Sequence, residues 1–562
     1  MIRFFTGIFS DRRVLWFTLA WFAVNSIQSV FTELAHDEAY YWLYAKYLDI
    51  GYYDHPPMIA VMIRAGGMLF SGELGVRLFT VLLSTISIPL LFDLCGRKDF
   101  RLFAFMVCAC TVFQVYGFIA VPDSPLLFFT VLFFFAYREY LKKDNWVNAL
   151  FIAITVACLL YSKYHGLLVI FFTVISNFGL FKRKSFYAII LSAIACYLPH
   201  ILWQIHHDYP SYQYHILNKS LTAYNINDSL EFIGATLFVA GPLLGIVLLI
   251  AFVKNRRKDL FLRALRFAFI GFVVFFFLST FNSAIEANWM AASVVPLFVV
   301  AHDFISTGTK LKVWTIRLSV ASLILFSFLR VNLMTDIVPA AGSKIMPEFY
   351  GWKEWTEQVK QHAEGCPVVI MNSYQRASKY SFYAKEDALS LNNMAYRCNQ
   401  FDIWPIADKM QGKRVALFRN WDESQTDATT FETARGKMTV VFADSFRCYN
   451  KYRISLDKDW YTFPHSSDVE INLEFFDEDP VSIKGHATGK SVSLVYWRYN
   501  YADLDGEFWI DSLDPDDINS GMKKTIHIHT PDKPGPYYLR FGFKSGNMSP
   551  YLNSRLVRMD VE

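Results

Sequence analysis

Eleven apolar stretches of roughly 16 to 24 residues follow one another from residue 14 to residue 333, and there the apolar character ends. A helix needs about 20 such residues to cross a bilayer core. Backbone inside lipid must satisfy its own hydrogen bonds, so stretches of this length and number leave a bundle of membrane helices as the fold. The stretches are 14–32, 74–95, 102–121, 125–141, 146–162, 166–181, 185–203, 230–253, 262–280, 289–306 and 313–333. With 54% hydrophobic residues, 53 Phe and 31 Tyr, the composition excludes an ordinary soluble enzyme. The first stretch lacks a small-residue cleavage pattern and is expected to remain as a span.

The loops between the stretches alternate in charge. One set holds Arg3, Arg12, Arg13, Arg97, Lys98, Arg101, Arg138, Lys142, Lys143, Lys182, Arg183, Lys184, Lys254, Arg256, Arg257, Lys258, Lys310 and Lys312. The other set holds only Lys46, Arg64, Lys163 and Lys219. Basic residues collect on the cytoplasmic side of a membrane, so the second set is expected on the outer face. Eleven spans from a cytoplasmic N-terminus then carry the remainder of the chain to that same outer face.

That remainder has mixed charge and turn residues. We read a strand at 368–372, a helix at 374–384 and strands near 414–418 and 438–442, a small α/β unit. From about residue 444 the pattern alternates, as in Val469-Glu470-Ile471-Asn472-Leu473-Glu474-Phe475, Ser491 to Trp497, Thr525 to His529 and Tyr537 to Phe543. Such runs are half-buried antiparallel strands, and the turns between them predict a terminal β-sandwich. The organisation expected is therefore 1–335 in the membrane, with a first outer loop at about 33–73, then an exported α/β subdomain at 336–443 and an exported β-sandwich at 444–562. Three exported cysteines, Cys366, Cys398 and Cys448, leave a disulfide open, and no cysteine spacing resembles a zinc site. No basic stripe outside the membrane-flanking loops points to nucleic acid.

The outer loops carry the chemistry. They contribute Asp37 and Glu38 at the end of the first span, Asp54 and His55 after Tyr53, Asp123, Lys163 with Tyr164, and Glu286 with Asn288 and Trp289. Carboxylates, an imidazole and an ammonium brought to one membrane face suit acid and base work on a bound substrate. A single polar residue at a helix end more often caps the helix or sits at the interface. Adjacent carboxylates between an apolar span and the aromatic run Tyr40-Tyr41-Trp42 are harder to explain as solubilising charge. Lys163, in a connection of a few residues, can equally reach the interface along its own stem. His206, His207 and Asp208 are too few to make a metal site by themselves.

Five motifs in order, Asp37-Glu38-Ala39-Tyr40-Tyr41-Trp42, Tyr53-Asp54-His55-Pro56-Pro57, Pro122-Asp123-Ser124-Pro125, Ser162-Lys163-Tyr164 and Glu286-Ala287-Asn288-Trp289, resemble bacterial glycosyltransferase family 39. That group is related to the protein mannosyltransferases and to the lipid A aminoarabinose transferase. The resemblance covers residues 1 to about 335 and extends to Tyr374-Gln375-Arg376-Ala377-Ser378 and Asn399-Gln400-Phe401-Asp402-Ile403-Trp404. One departure is His55, where related members often carry lysine before the double proline, so phosphate contact there would depend on imidazole protonation.

The resemblance implies a glycosyltransferase C fold of about 11 transmembrane helices in the bacterial cytoplasmic membrane. It also implies a polyprenyl-phosphate-linked monosaccharide as donor and a lipid A, glycolipid, glycan or protein acceptor, with transfer by inverting direct displacement. In that scheme Asp37 is the base or orienting group and Glu38 supports it. His55, Lys163 and Arg64 meet the donor phosphate, while Tyr53, Asp54, Asp123, Tyr164, Glu286, Asn288 and Trp289 meet sugar or acceptor. No cofactor is required, although the acids leave room for a divalent cation. The sequence leaves the oligomeric state open. The rival from another class is a polyprenyl-lipid flippase or transporter, whose acids belong at mid-membrane rather than at the outer ends.

Overall fold

Each of the eleven apolar stretches is helical, but they do not become eleven straight spans. The structure is a computed structural model that describes residues 7–207, 209–212, 224–308, 310–338, 346–419, 428–477, 492–500, 503–514, 518–545 and 550–562. These form two compact units, one lying between residues 7 and 350 and the other between 351 and 562.

In the first unit the helices are α1 (Arg12–Phe31), α2 (His36–Lys46), α3 (Met58–Gly67), α4 (Gly72–Leu94), α5 (Phe100–Ala109), α6 (Thr111–Tyr116), α7 (Asp123–Lys142) and α8 (Trp146–Ser162). They continue as α9 (Gly166–Ile175), α10 (Lys184–His206), α11 (Ile226–Ala240), α12 (Gly245–Lys254), α13 (Leu260–Ser279), α14 (Val294–Ile305) and α15 (Lys310–Thr335). Among the described residues six helical segments are long and apolar enough to cross a membrane: α1, α4, α10, α13, the 3-10 turn Ala287–Ser293 continued by α14, and α15. The pair α11 and α12, bent by 88°, makes a seventh if it counts as one span.

The breaks have local causes. The stretch expected at 102–121 divides at Cys110, whose backbone is extended between α5 and α6. The stretch at 230–253 turns at Gly241, which takes φ 137 and precedes Pro242. Only glycine tolerates that φ readily, and the residue before a proline is pushed out of the helical region. A side chain at Gly241 would also sit 2.8 Å from the Ala109 carbonyl oxygen. The segment between α1 and α4, expected as the first outer loop, is itself helical over His36–Lys46 and Met58–Gly67. A Cβ at Gly66 of α3 would lie 2.2 Å from the Gly75 carbonyl oxygen of α4, so these two helices touch backbone to backbone.

One helix at the edge of the apolar core shows burial inverted relative to a soluble protein. On α15, Thr315, Ser319 and Ser322 face inward while Ile324, Phe328 and Val331 are exposed. Small polar residues between helices and large apolar ones outside are what a lipid solvent favours. Loops assigned to one side from their charge also meet one another. Asp93 pairs with Arg97 and Arg138, Asp303 with Lys98 and Arg257, and Asp99 with Lys312.

The second unit opens with α16 (Trp352–His362) and a five-stranded sheet ordered β2-β1-β3-β5-β4. Its strands are β1 (Val368–Met371), β2 (Leu389–Leu391), β3 (Val415–Arg419), β4 (Thr429–Phe431) and β5 (Met438–Ala443). β1 runs parallel to β2 and β3, with helix α17 (Tyr374–Ala384) as the crossover between β1 and β2. Two further sheets follow. One is ordered β10-β9-β12-β13-β7, from Asp503–Leu513, Val492–Asn500, Gly535–Lys544, Val557–Val561 and Trp460–Phe463. The other is ordered β11-β8-β6, from Met522–His529, Asp468–Asp477 and Tyr452–Leu456. Phe543 of β12 joins them, its ring 5.9 Å from Phe475 and 5.6 Å from Tyr452. All eight cysteines are free thiols.

The connection between α2 and α3 is seated on α10 at Gly51, where a Cβ would come within 2.5 Å of the Trp203 ring. The Trp203 indole N–H is fixed by the Asp49 carboxylate at 2.9 Å, so the ring cannot yield cheaply. Gly51→Ala should therefore destabilise this unit by about 1–3 kcal/mol through overpacking. A thermal unfolding midpoint in detergent equal to that of the unsubstituted protein would contradict the account.

Candidate active site

The Asp37-Glu38 pair opens helix α2, with Ala35 as its N-cap. Acids in a first helical turn are favoured by the unpaired N–H groups and the helix dipole. The two acids nevertheless have different surroundings. Asp37 is half-buried. Glu38 is fully buried and accepts from the Ala35 N–H at 2.8 Å, closing the turn.

Glu38 is also held by Arg77 of α4, a forked pair at 2.7 and 2.5 Å with both side chains wholly buried. The same guanidinium donates to the carbonyls of Ser29, Thr32 and Glu33, the unpaired end of α1. One arginine thus closes the helix that leaves the bundle and anchors the helix that begins with Asp37. A third bond to Glu38 comes from the Ala120 N–H at 2.8 Å, in the turn that leads into Asp123.

From Asp123 the contacts continue through the other predicted residues. Its carboxylate takes the Lys163 ammonium at 2.8 and 2.9 Å, with Asp123 3% and Lys163 2% exposed. Asn288 Nδ2 lies 3.5 Å from the same carboxylate. Tyr164, next to Lys163, donates to Ser211 Oγ at 2.8 Å, and Ser211 donates to the Tyr53 carbonyl at 2.7 Å. The adjoining Asp54 is buried and accepts from the hydroxyls of Tyr40 and Tyr44 at 2.9 and 3.1 Å. Those tyrosines belong to α2, the helix that carries Asp37, so the contacts form a closed ring.

Burial raises the Tyr44 phenol well above its usual value, and the neighbouring Tyr40 and Asp54 add to it. It stays a neutral donor toward Asp54. Burial likewise raises Tyr164. His55 is half-buried with its ring 5.8 Å from Tyr41. Trp289 lies 5.3 Å from His165 and 5.6 Å from Phe276. Glu286 is exposed at the start of its 3-10 turn, and Arg64 is exposed on α3.

Sequence reading passed over Arg77, Ser211 and the Ala120 amide. Arg77 had a signal, since a lone arginine inside an apolar stretch is costly unless paired. Ser211 and Ala120 had none, because a serine in a loop and a backbone N–H carry no distinctive pattern. His207 stacks on Trp203 at 4.1 Å, and Asp208 lies outside the described residues. Among the described residues no three His, Cys, Asp or Glu side chains gather as a metal ion would require.

Residues 54–203, which include Asp54, Ala120, Asp123, Lys163 and Tyr164 of the ring, match the family model described as dolichyl-phosphate-mannose-protein mannosyltransferase. This agrees with the resemblance read from the motifs. The chain is 26% identical over 309 residues to the lipid A galacturonosyltransferase RgtD of Rhizobium johnstonii. That match covers 51% of this chain and 61% of RgtD, so the chain spans about three fifths of the length of the curated relative it matches. Among solved structures, ArnT from Cupriavidus metallidurans in the apo state aligns with TM-score 0.56 at 12% identity, over 77% of this chain and 98% of that one. ArnT from the same organism bound to undecaprenyl phosphate aligns with TM-score 0.55 at 13% identity, over 76% and 97%. At these identities the likeness establishes the fold, the glycosyltransferase C architecture with a β-rich C-terminal region.

Removing one partner of a buried ion pair leaves the other charge uncompensated, at a cost of about 3–5 kcal/mol. Arg77→Ala should therefore lower the yield and thermal stability of folded protein more than Asp37→Ala does, as size-exclusion and melting profiles will report. For the second pair, Lys163→Met and Asp123→Leu should each destabilise strongly. The double substitution should recover much of the loss, and strict additivity in that cycle would rule out the pairing.

Proposed function

We propose that this protein is a glycosyltransferase of the cytoplasmic membrane that moves a monosaccharide from a polyprenyl-phosphate carrier to lipid A on the outer face. The observation that carries the reading is the closed ring of contacts that joins the motif loops to helix α2, whose first turn holds the half-buried Asp37. The resemblance of residues 54–203 to a sugar-transferring family, and the undecaprenyl phosphate bound by ArnT, support the donor class. The lipid A substrate in the name of RgtD supports the acceptor.

In the proposed reaction an acceptor oxygen attacks the anomeric carbon as the bond from that carbon to the lipid-phosphate oxygen breaks. The phosphate leaves with the bonding electrons, and one displacement inverts the anomeric centre. Asp37 takes the proton of an acceptor hydroxyl, or orients an acceptor phosphate that is already ionised. Growing negative charge on the leaving phosphate calls for nearby donors, a role for Lys163 and His55. Tyr53 and Trp289 offer aromatic faces to the sugar, and Asp54, Asp123, Glu286 and Asn288 offer polar contacts. In the same reading residues 1–335 perform the transfer, while 336–443 and 444–562 lie outside the membrane. No cofactor takes part in this scheme.

The test is purified protein with a polyprenyl-phosphate sugar and lipid A, the products being read by mass spectrometry. The expected outcome is sugar on lipid A from the unsubstituted protein, and a loss of about 10²-fold or more with Asp37→Asn, the scale of a lost general base. Sugar that stays on its carrier while crossing a vesicle membrane would reject transfer in favour of transport. Undiminished turnover in a folded Asp37→Asn protein would reject the assignment of Asp37.

A further inference from the structure

Arg330 lies on α15, nine-tenths buried, and has no carboxylate partner among the described residues. Its guanidinium is held by amides. Nε donates to Gln114 Oε1 at 2.8 Å, and Nη2 donates to Asn25 Oδ1 at 2.9 Å and to the Gln114 carbonyl at 2.8 Å. Its Nη1 is buried with no hydrogen-bond partner among the described residues. Amides are weak compensation for a buried full charge, and a hydrophobic residue of similar size would usually serve stability as well or better. Bundle stability alone is a poor account of this residue.

What Arg330 does reach is the ring of Phe118, with its guanidinium carbon 5.2 Å from the centroid. Arg77 reaches the same ring at 5.6 Å. A cation over an aromatic face is attracted to the ring quadrupole, more strongly where water is excluded. Phe118 is buried and stands two residues before Ala120, whose N–H holds Glu38, and five before Asp123, which holds Lys163. Gly117, just before it, leaves no room on the Asn25 side, since a Cβ there would lie 2.9 Å from Asn25 Oδ1. The turn 117–122 is thus fixed at its base by the residues that hold Arg330, and its ring is shared by two guanidiniums.

We propose that Arg330 is a positioning residue for sugar transfer, acting through Phe118 to hold the turn that sets Glu38 and Asp123 in place. The inference rests on the transferase reading above. Its action is indirect, so loss of Arg330 displaces the catalytic turn without removing a substrate contact. A displacement of about 1 Å at a reacting centre costs on the order of 10²-fold in rate.

The experiment measures kcat and donor KM for Arg330→Met, Arg330→Lys and Phe118→Leu in the full chain, each with a thermal unfolding midpoint. Arg330→Met is expected to lose about 10²-fold in kcat, with donor KM within about twofold and a near-unchanged midpoint. Arg330→Lys, which restores a cation over the ring, should recover about tenfold of that loss. Phe118→Leu, which keeps both arginines, should show the same kcat-only defect. Unsubstituted turnover in Arg330→Met or in Phe118→Leu would overturn the proposal. A fall in kcat accompanied by a collapsed midpoint and no recovery by lysine would overturn it too, leaving a purely structural role. Failure of the unsubstituted protein to transfer sugar would count against the transferase reading instead, so the two are told apart.

Discussion

The bond between Arg77 and Glu38 is the constraint on which the motif-bearing end of the helical unit depends. A helix that leaves a bundle has four carbonyls without intrahelical partners, and a helix that begins has four N–H groups in the same condition. Here only a few residues separate the end of α1 from the start of α2, where both sets of orphan groups are crowded among apolar neighbours. A guanidinium has five donors and a carboxylate has four acceptor sites, so one pair can serve both ends. Arg77 takes three carbonyls of the α1 end, Glu38 takes the Ala35 and Ala120 amides, and each neutralises the other. Asp37 inherits its position from that arrangement.

The remaining polar groups follow the same economy. Lys163 and Asp123 are buried as a pair, and Asp54 is buried beneath the phenols of Tyr40 and Tyr44, the second of which burial keeps neutral. Charge that must lie close to lipid is accommodated only with hydrogen bonds on both partners. Because these bonds join one polar loop to the next, the site behaves as one connected object. Ser211 closes it by joining Tyr164, 47 residues before it, to Tyr53, 158 residues before it.

Much of this was legible in the sequence. Apolar length marked the helical stretches of the bundle but not α2, α3 or α16, and the alternating runs marked β8, β9, β11 and β12, while the helix expected at 374–384 has those limits. The motif loops that these contacts join were visible as polar interruptions between apolar stretches. The breaks at Cys110 and Gly241 were not, since hydropathy averages over a kink. The short strands β2, β4, β6 and β7 escaped because three to five residues carry too little pattern. Arg77 and Arg330 were hidden by the apolar residues around them, although a charge in such surroundings is itself a signal.

The sequence by itself determined that the chain must build helices in lipid, that an α/β and β-rich region follows them, and which residue types stand at the helix ends. These are local consequences of hydrophobic period and composition, which act within a window of a few turns. Only the tertiary structure decided that Glu38 is spent on Arg77, leaving Asp37 as the half-buried acid of the pair, and that Lys163 is neutralised by Asp123. Which of two adjacent carboxylates is buried depends on a guanidinium 39 residues away. A linear pattern carries no information about that distance until packing brings the two together.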